Sequence, residues 1–170
     1  MISTLKKKSI QKVYDKLVVK KENIPHKETK VKSVAILLDN EALVNVVIAN
    51  LTNIFPFQKT DIKVLVYKEY SKKEEPSPEF FTEKDFGFKA SLKSDNLKDF
   101  VKNKYDLLIN YTKTSNLLTN MVTLLSQADF KAGFAEIDDR LYDIVVSDTS
   151  FNEAVLNQEL KKYLTILNKI

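Results

Sequence analysis

Five consecutive apolar residues, Val34-Ala35-Ile36-Leu37-Leu38, stop abruptly at Asp39-Asn40-Glu41. A strand with one wet face alternates apolar and polar side chains, so an unbroken run of this length marks a strand buried on both faces. Residues 105–111 repeat the pattern, and Ile62–Tyr67 reads as another strand. Shorter strands are expected at Phe130–Phe134, at 143–146 and among Phe80, Phe81, Phe86 and Phe88. Between them, residues 41–54, 115–127 and 150–167 carry apolar side chains at helical spacing. Thr114 or Ser115 is expected to cap the second of these helices, and Asp95 a shorter one over 95–103. Strands that alternate with helices require right-handed crossovers. The fold class is therefore α/β, a three-layer Rossmann-like, mostly parallel sheet with helices on both faces, preceded by a basic N-terminal amphipathic helix.

That first helix is read over residues 2–21. Ile2, Leu5, Ile10, Val13, Leu17 and Val18 recur three to five apart, with Lys6, Lys8, Lys12, Lys16 and Lys20 on the other faces. Residues 23–32 are polar, contain Pro25 and read as a linker. The expected organisation is a helix and linker over 1–32 and a single Rossmann-like domain over 33–170, which the length allows. Charge divides at the same boundary. Residues 1–32 hold ten lysines against Asp15, Glu22 and Glu28, whereas the remainder is mildly acidic, so the basic balance belongs to the first segment.

Absences narrow the chemistry. With no cysteine, disulfides, zinc–thiolate sites and thiol nucleophiles are excluded. There are two glycines, Gly87 and Gly133, and neither a G-x-G-x-x-G nor a P-loop pattern, which removes the dinucleotide and P-loop readings. No secretory signal is expected, and no run approaches the roughly 18 apolar residues of a spanning helix, so the expected location is cytoplasmic. His26, the one histidine, sits in the linker without a nucleophile elbow and is assigned no catalytic role.

Two resemblances follow from particular stretches. Tyr105-Asp-Leu-Leu-Ile-Asn, Leu117-Leu-Thr-Asn-Met and Phe130-Lys-Ala-Gly-Phe134 resemble the strand–helix–strand segment in the N-terminal half of heptosyltransferase-type glycosyltransferases. That likeness implies shared architecture without transferase activity, since the sugar-nucleotide domain of those enzymes has no counterpart here. The chain as a whole resembles a family of small uncharacterised proteins, a domain of unknown function, from Bacteroidetes-type bacteria. The features that carry this are the lysine-rich first helix, Lys-Tyr-Asp-Leu-Leu-Ile at 104–109, Lys-x-Gly-Phe at 131–134, Asp138-Asp139-Arg140-Leu141 and the closing Tyr-Leu-x-Ile-Leu-Asn-Lys-Ile. It implies no known activity.

Ligands of open α/β sheets sit beyond the carboxyl ends of the strands. The candidate crevice there comprises Asp39, Asn110, Lys113, Ser115, Asp138 and Arg140, with the amides around residues 114–116 able to face an anion. Glu136, Asp138, Asp139 and Asp143 form the densest acidic cluster, read as a solvated turn or a site for a hard cation. Arg140, the only arginine, is expected to pair with Asp106 or Asp143. The four phenylalanines of residues 80–88 are expected in the core. No catalytic residue, no metal ligand and no cofactor is assigned.

The function expected is a non-catalytic binding or interaction protein. Its N-terminal helix, through Leu5, Val13 and Leu17, would dock on the body, on a second copy, on a partner protein or on a membrane surface, with nucleic acid disfavoured. The alternatives are a small-ligand binder or enzyme using the crevice on an anionic or sugar-type ligand, and a degenerate glycosyltransferase half.

Overall fold

A computed structural model describes residues 1–170. Six strands, β1 (Val34–Leu38), β2 (Ile62–Tyr67), β3 (Phe80–Phe81), β4 (Leu107–Asn110), β5 (Phe130–Phe134) and β6 (Ile144–Val146), form one sheet in the order β3-β2-β1-β4-β5-β6. Every adjacent pair is parallel, so the sheet expected to be mostly parallel is wholly so. The helices are α1 (Thr4–Val19), α2 (Val44–Ile54), α3 (Asp95–Lys102), α4 (Leu117–Leu125), the single turn α5 (Ala135–Asp138) and α6 (Glu153–Ile166).

The two-residue period of the strands divides the core. Val34, Ile36, Leu38, Leu107 and Ile109 pack with Val47 and Leu51 of α2 and Leu156, Leu160 and Leu164 of α6. Ala35, Leu37 and Leu108 face the other way, onto Leu97 and Phe100 of α3 and Leu118, Met121 and Val122 of α4. Helix α4 is buried over six consecutive residues, 118 to 123, because it lies between the sheet and a further helix, α1. Phe81 and Phe86 are fully buried as expected of the core, but Phe88 is 59% exposed.

Ser3 caps α1 by accepting from the Lys6 amide. The helix packs on the body through Ile10, Tyr14 and Val18, one turn apart, with Ile2 and Val13 partly buried beside them. This corrects the expected stripe, since Leu5 is 74% exposed and Leu17 also faces outward. Counting aliphatic residues alone had left out Tyr14, whose ring is apolar and whose hydroxyl needs only a polar partner. Residues 86–92 form the rest of the cradle. Lys89 and Ala90 adopt left-handed backbone there, and the Lys89 amide donates to Ser9 Oγ of α1 at 2.8 Å.

Two other caps differ from expectation. Asn116, not Thr114 or Ser115, caps α4 by accepting from the Leu118 amide, and Ser94 rather than Asp95 precedes α3. The linker is fastened along its length. Asp129 takes the Lys27 amide, Asp106 takes the Lys32 and Ser33 amides at 2.8 and 2.9 Å, and the Val31 amide reaches the Lys169 carbonyl. Burial alone would push the Asp106 carboxyl up, yet those hydrogen bonds outweigh it and hold it below its ordinary range. No helix is long and apolar enough to cross a membrane.

Candidate functional site

Strand order reverses between β1 and β4, and the crevice of an open α/β sheet lies outside their carboxyl ends. A shallow cleft of about 470 Å³ occupies that place, lined by Asp39, Glu41, Lys68, Glu69, Thr114 and Asn116 among others. Asp39 Oδ2 accepts from the backbone amides of Lys113 and Thr114 at 3.2 and 3.4 Å. Of the amides at 114–116 read as able to face an anion, that of Thr114 therefore meets a carboxylate of the chain itself. Lys113 Nζ pairs with Glu153 at 2.5 Å, Lys68 pairs with Glu41 and Glu74, and Ser115 lies exposed on the rim.

The other three crevice candidates lie elsewhere. Asn110 is buried on the α4 face of the sheet, where its Nδ2 donates to Thr123 Oγ1 and to the Tyr142 hydroxyl, both at 3.0 Å. Its Oδ1 accepts from the Thr112 amide, so both ends of the amide are engaged within the fold. The Thr123 hydroxyl in turn donates to the Thr119 carbonyl. Lys131, 7% exposed, crosses from β5 to donate to the Thr123 and Leu124 carbonyls at 2.7 and 3.2 Å, which places a cation at the C-terminal end of α4. Burial lowers its pKa to about 8.

Gly133 explains why β5 has no side chain at that point. A Cβ there would stand 2.4 Å from Cζ and 2.5 Å from Cε1 of Tyr142, so the ring occupies the space a side chain would need. Asn110, Lys131, Gly133 and Tyr142 thus form one buried polar assembly that joins β4, β5, α4 and the segment before β6.

Asp138 and Arg140 extend this assembly to the first helix. Arg140 donates to both Asp138 oxygens, from Nε and Nη2, each at 2.9 Å, and the Tyr14 hydroxyl of α1 donates to Asp138 Oδ2. The guanidinium, acting against burial and helped by the tyrosine, holds the Asp138 carboxyl below its usual range. The expected partners of Arg140, Asp106 and Asp143, are committed to other groups. Asp143 accepts from the Lys131 amide and lies 3.5 Å from His26 Nε2, while His26 stacks on Phe130 at 3.7 Å between centroids. The acidic cluster diverges too, since Glu136 accepts from Ser147 and Asp139 is exposed.

The remaining candidate surface is the outer side of α1. Lys6 and Lys21 are used internally, on the carbonyls of Glu83 and of Arg140 and Leu141. Lys8, Lys12 and Lys16 recur every fourth residue on the side away from the body, are exposed and form no ion pair. Leu5 and Val19, 74% and 79% exposed, continue the same row at its two ends.

Tyr14, Lys131 and Tyr142 were not singled out from the sequence. The signal was nevertheless present in Lys131-x-Gly133-Phe134, noted for likeness alone, and in Asp138-Asp139-Arg140-Leu141, read as crevice and acidic cluster; both motifs here prove to be fastenings. No curated protein and no solved structure matches the chain. Of the whole-length likeness, the part that finds support is to a family of unknown function: a family model matches residues 6–167, and the chain belongs to that family, DUF6913.

Proposed function

We propose that this chain is a non-catalytic binding protein that rests on an anionic membrane surface through the outward face of α1. The observation that supports this is a row of exposed like charges that form no ion pair. Lysines four apart on a helix destabilise it by roughly 0.2–0.5 kcal/mol per pair. Lys8, Lys12 and Lys16 make two such pairs, and the helix depends on its other face, through Ile10, Tyr14 and Val18, to stay in place. Near an anionic leaflet each lysine contributes about 1 kcal/mol of attraction. Leu5 and Val19 at the ends of the row would enter the interfacial region while the lysine heads stay in the aqueous layer. The basic groups of α1 are all lysine, a compact charge suited to a diffuse anionic surface, whereas grooves of nucleic acid favour the planar fork of arginine.

The rival readings have less behind them. Self-association through the apolar stripe of α1 loses Ile10, Tyr14 and Val18, which are spent on the body. An anionic ligand in the switch-point cleft would have to displace Asp39 from its two amides. The resemblances to Bacteroidetes-type proteins and, over 105–134, to glycosyltransferases bring no reacting group to either site. Co-sedimentation with vesicles of phosphatidylcholine, with and without phosphatidylserine, tests the proposal. Binding is expected only to the anionic vesicles, to weaken with salt, and to fall about a hundredfold or more when Lys8, Lys12 and Lys16 all become Glu. Equal partition to both vesicles, or binding that survives the triple replacement, would sink it.

A further inference from the structure

Residues 85–93 double back on themselves beside α1. The Lys93 amide donates to the Asp85 carbonyl and the Gly87 amide to the Ser91 carbonyl, at 2.8 and 2.7 Å, and Phe86 is bridged to Leu92. Phe86 is fully buried at the base of this hairpin, and Leu92 packs against the same cluster. At the tip, Lys89 and Ala90 have φ of 55° and 59°, a left-handed backbone that residues with a Cβ adopt rarely. Two such residues in succession persist only where their surroundings hold them. Here Ser9 of α1 takes the Lys89 amide, and Ala90 is buried in one cluster with Ile10 and Tyr14.

What this strained turn presents to water is a phenylalanine. Phe81 and Phe86 are fully buried and Phe80 partly so, whereas Phe88 is exposed. A lone exposed apolar side chain is ordinary. The surroundings of this one are not. Lys84, Lys89 and Lys93 are exposed around it and form no ion pair. The acids among them are engaged within the fold, since Glu83 is buried and accepts from the Tyr70 amide, and Asp85 accepts from the Thr82 amide. Burial, and next the charge of Lys93, lower the pKa of the neighbouring Lys6. Ser9, which holds the tip, is four residues from Leu5 and three from Lys12, and residues at those spacings are neighbours on a helix surface. The hairpin therefore adjoins the flank of α1 that carries Leu5 and Lys12.

We propose, on the reading of α1 as the membrane-resting helix, that Phe88 is the apolar anchor of that surface. Its ring would enter the interfacial layer of an anionic bilayer, while Lys84, Lys89 and Lys93 join Lys8, Lys12 and Lys16 at the headgroups. Interfacial binding grows with buried apolar area as well as with charge. The outer side of α1 supplies charge but little apolar area, namely Leu5 and Val19, and its one aromatic ring, Tyr14, is buried in the body. Phe88 supplies the missing area beside the same charges. The held turn fixes the tip before contact, so little loop freedom is lost on binding.

The chain has no tryptophan, so Phe88→Trp places a sole indole at the tip. With vesicles of phosphatidylcholine and phosphatidylserine its emission is expected to shift to the blue and to be quenched by lipids brominated in the acyl chain. With phosphatidylcholine alone it should stay as in buffer. Tyr163→Trp, at a half-exposed position on α6 across the sheet, should respond to neither. Phe88→Ala should bind the anionic vesicles about tenfold more weakly, with an unchanged dependence on salt because no charge is lost. Position 88 is exposed, so both of its variants should keep the far-ultraviolet spectrum of the parent. A chain that sediments with the anionic vesicles while the indole at 88 is unmoved overturns the proposal and leaves the reading of α1 standing. So does Phe88→Ala binding as tightly as the parent, or an indole at 163 that shifts as much as the one at 88. Failure of the parent to bind anionic vesicles removes both.

Discussion

The two faces of the sheet are held by different means. On one, α2 and α6 each follow a strand directly and bury leucine and valine against Ile36, Ile109 and their neighbours. Its buried polar string is a single line, from the Tyr111 hydroxyl to Asn157 and on to Asn50. The other face is covered partly by α1, which arrives from ahead of the first strand across a linker of more than ten residues. No short loop dictates its place, so side chains must. Tyr14 on Asp138, the Lys89 amide on Ser9 and Lys21 on two carbonyls supply what connectivity does not. A face assembled from consecutive elements needs little more than matching apolar surface. A face completed by a distant segment also needs directional bonds to fix the helix axially and in rotation.

The largest effect that would test this contrast comes from equal deletions on the two sides. Leu160→Ala and Ile10→Ala each remove a fully buried aliphatic side chain, at about 2–5 kcal/mol. For Leu160 the loss should appear in global denaturant unfolding. For Ile10 much of it should appear as release of α1, seen as faster amide exchange over 4–19 while β1 and β4 stay protected. Equal loss of protection everywhere would show that α1 is inseparable from the core. Next in size is Gly133→Ala. Its new methyl must displace the Tyr142 ring and strain the bond to Asn110, costing about 1–3 kcal/mol. A midpoint shift well below that range would mean the ring moves aside freely.

The smallest effect concerns pH. Lys131 has a folded-state pKa near 8 against an ordinary value of 10.5. Between those values the unfolded chain holds a proton that the folded one has released, so stability rises with pH across this window. Below about pH 8 the burial penalty is present in full, and it fades as the pH approaches 10.5. Relative to Lys131→Met, which has no such group, the parent should gain on the order of 2 kcal/mol between pH 7.5 and 10. Parallel stability profiles for the two proteins would show that the lysine is more hydrated than its burial implies.

Much of the architecture was legible in the residues. Unbroken apolar runs at 34–38 and 105–111 announced strands buried on both faces, and the helical spacing between them announced crossovers. Sheet parallelism followed from that alternation. The site was less legible because the sequence places Asp39, Asn110 and Asp138 alike at strand ends without saying which way each side chain turns. One residue of phase along a strand reverses the face. Asn110, within β4, is buried against Thr123 and Tyr142, whereas Asp39 lies past the end of β1, where it lines the cleft. The helix stripe was misjudged for a related reason, since Leu5 and Leu17 satisfy helical spacing but the body lies on the side of Ile10, Tyr14 and Val18.

The sequence by itself determined the α/β class, the single sheet with helices on both faces and the basic character of the first segment. These depend on periodicity and composition, which are local along the chain. Only the tertiary structure decided that Asp39 satisfies the amides of Lys113 and Thr114, that Lys131 ends α4, and that Arg140 and Tyr14 meet on Asp138. Such pairings join residues up to 124 positions apart. Partners of this kind are chosen by desolvation, because a buried polar group must bond to whatever the fold brings within reach, and no local pattern records what that will be.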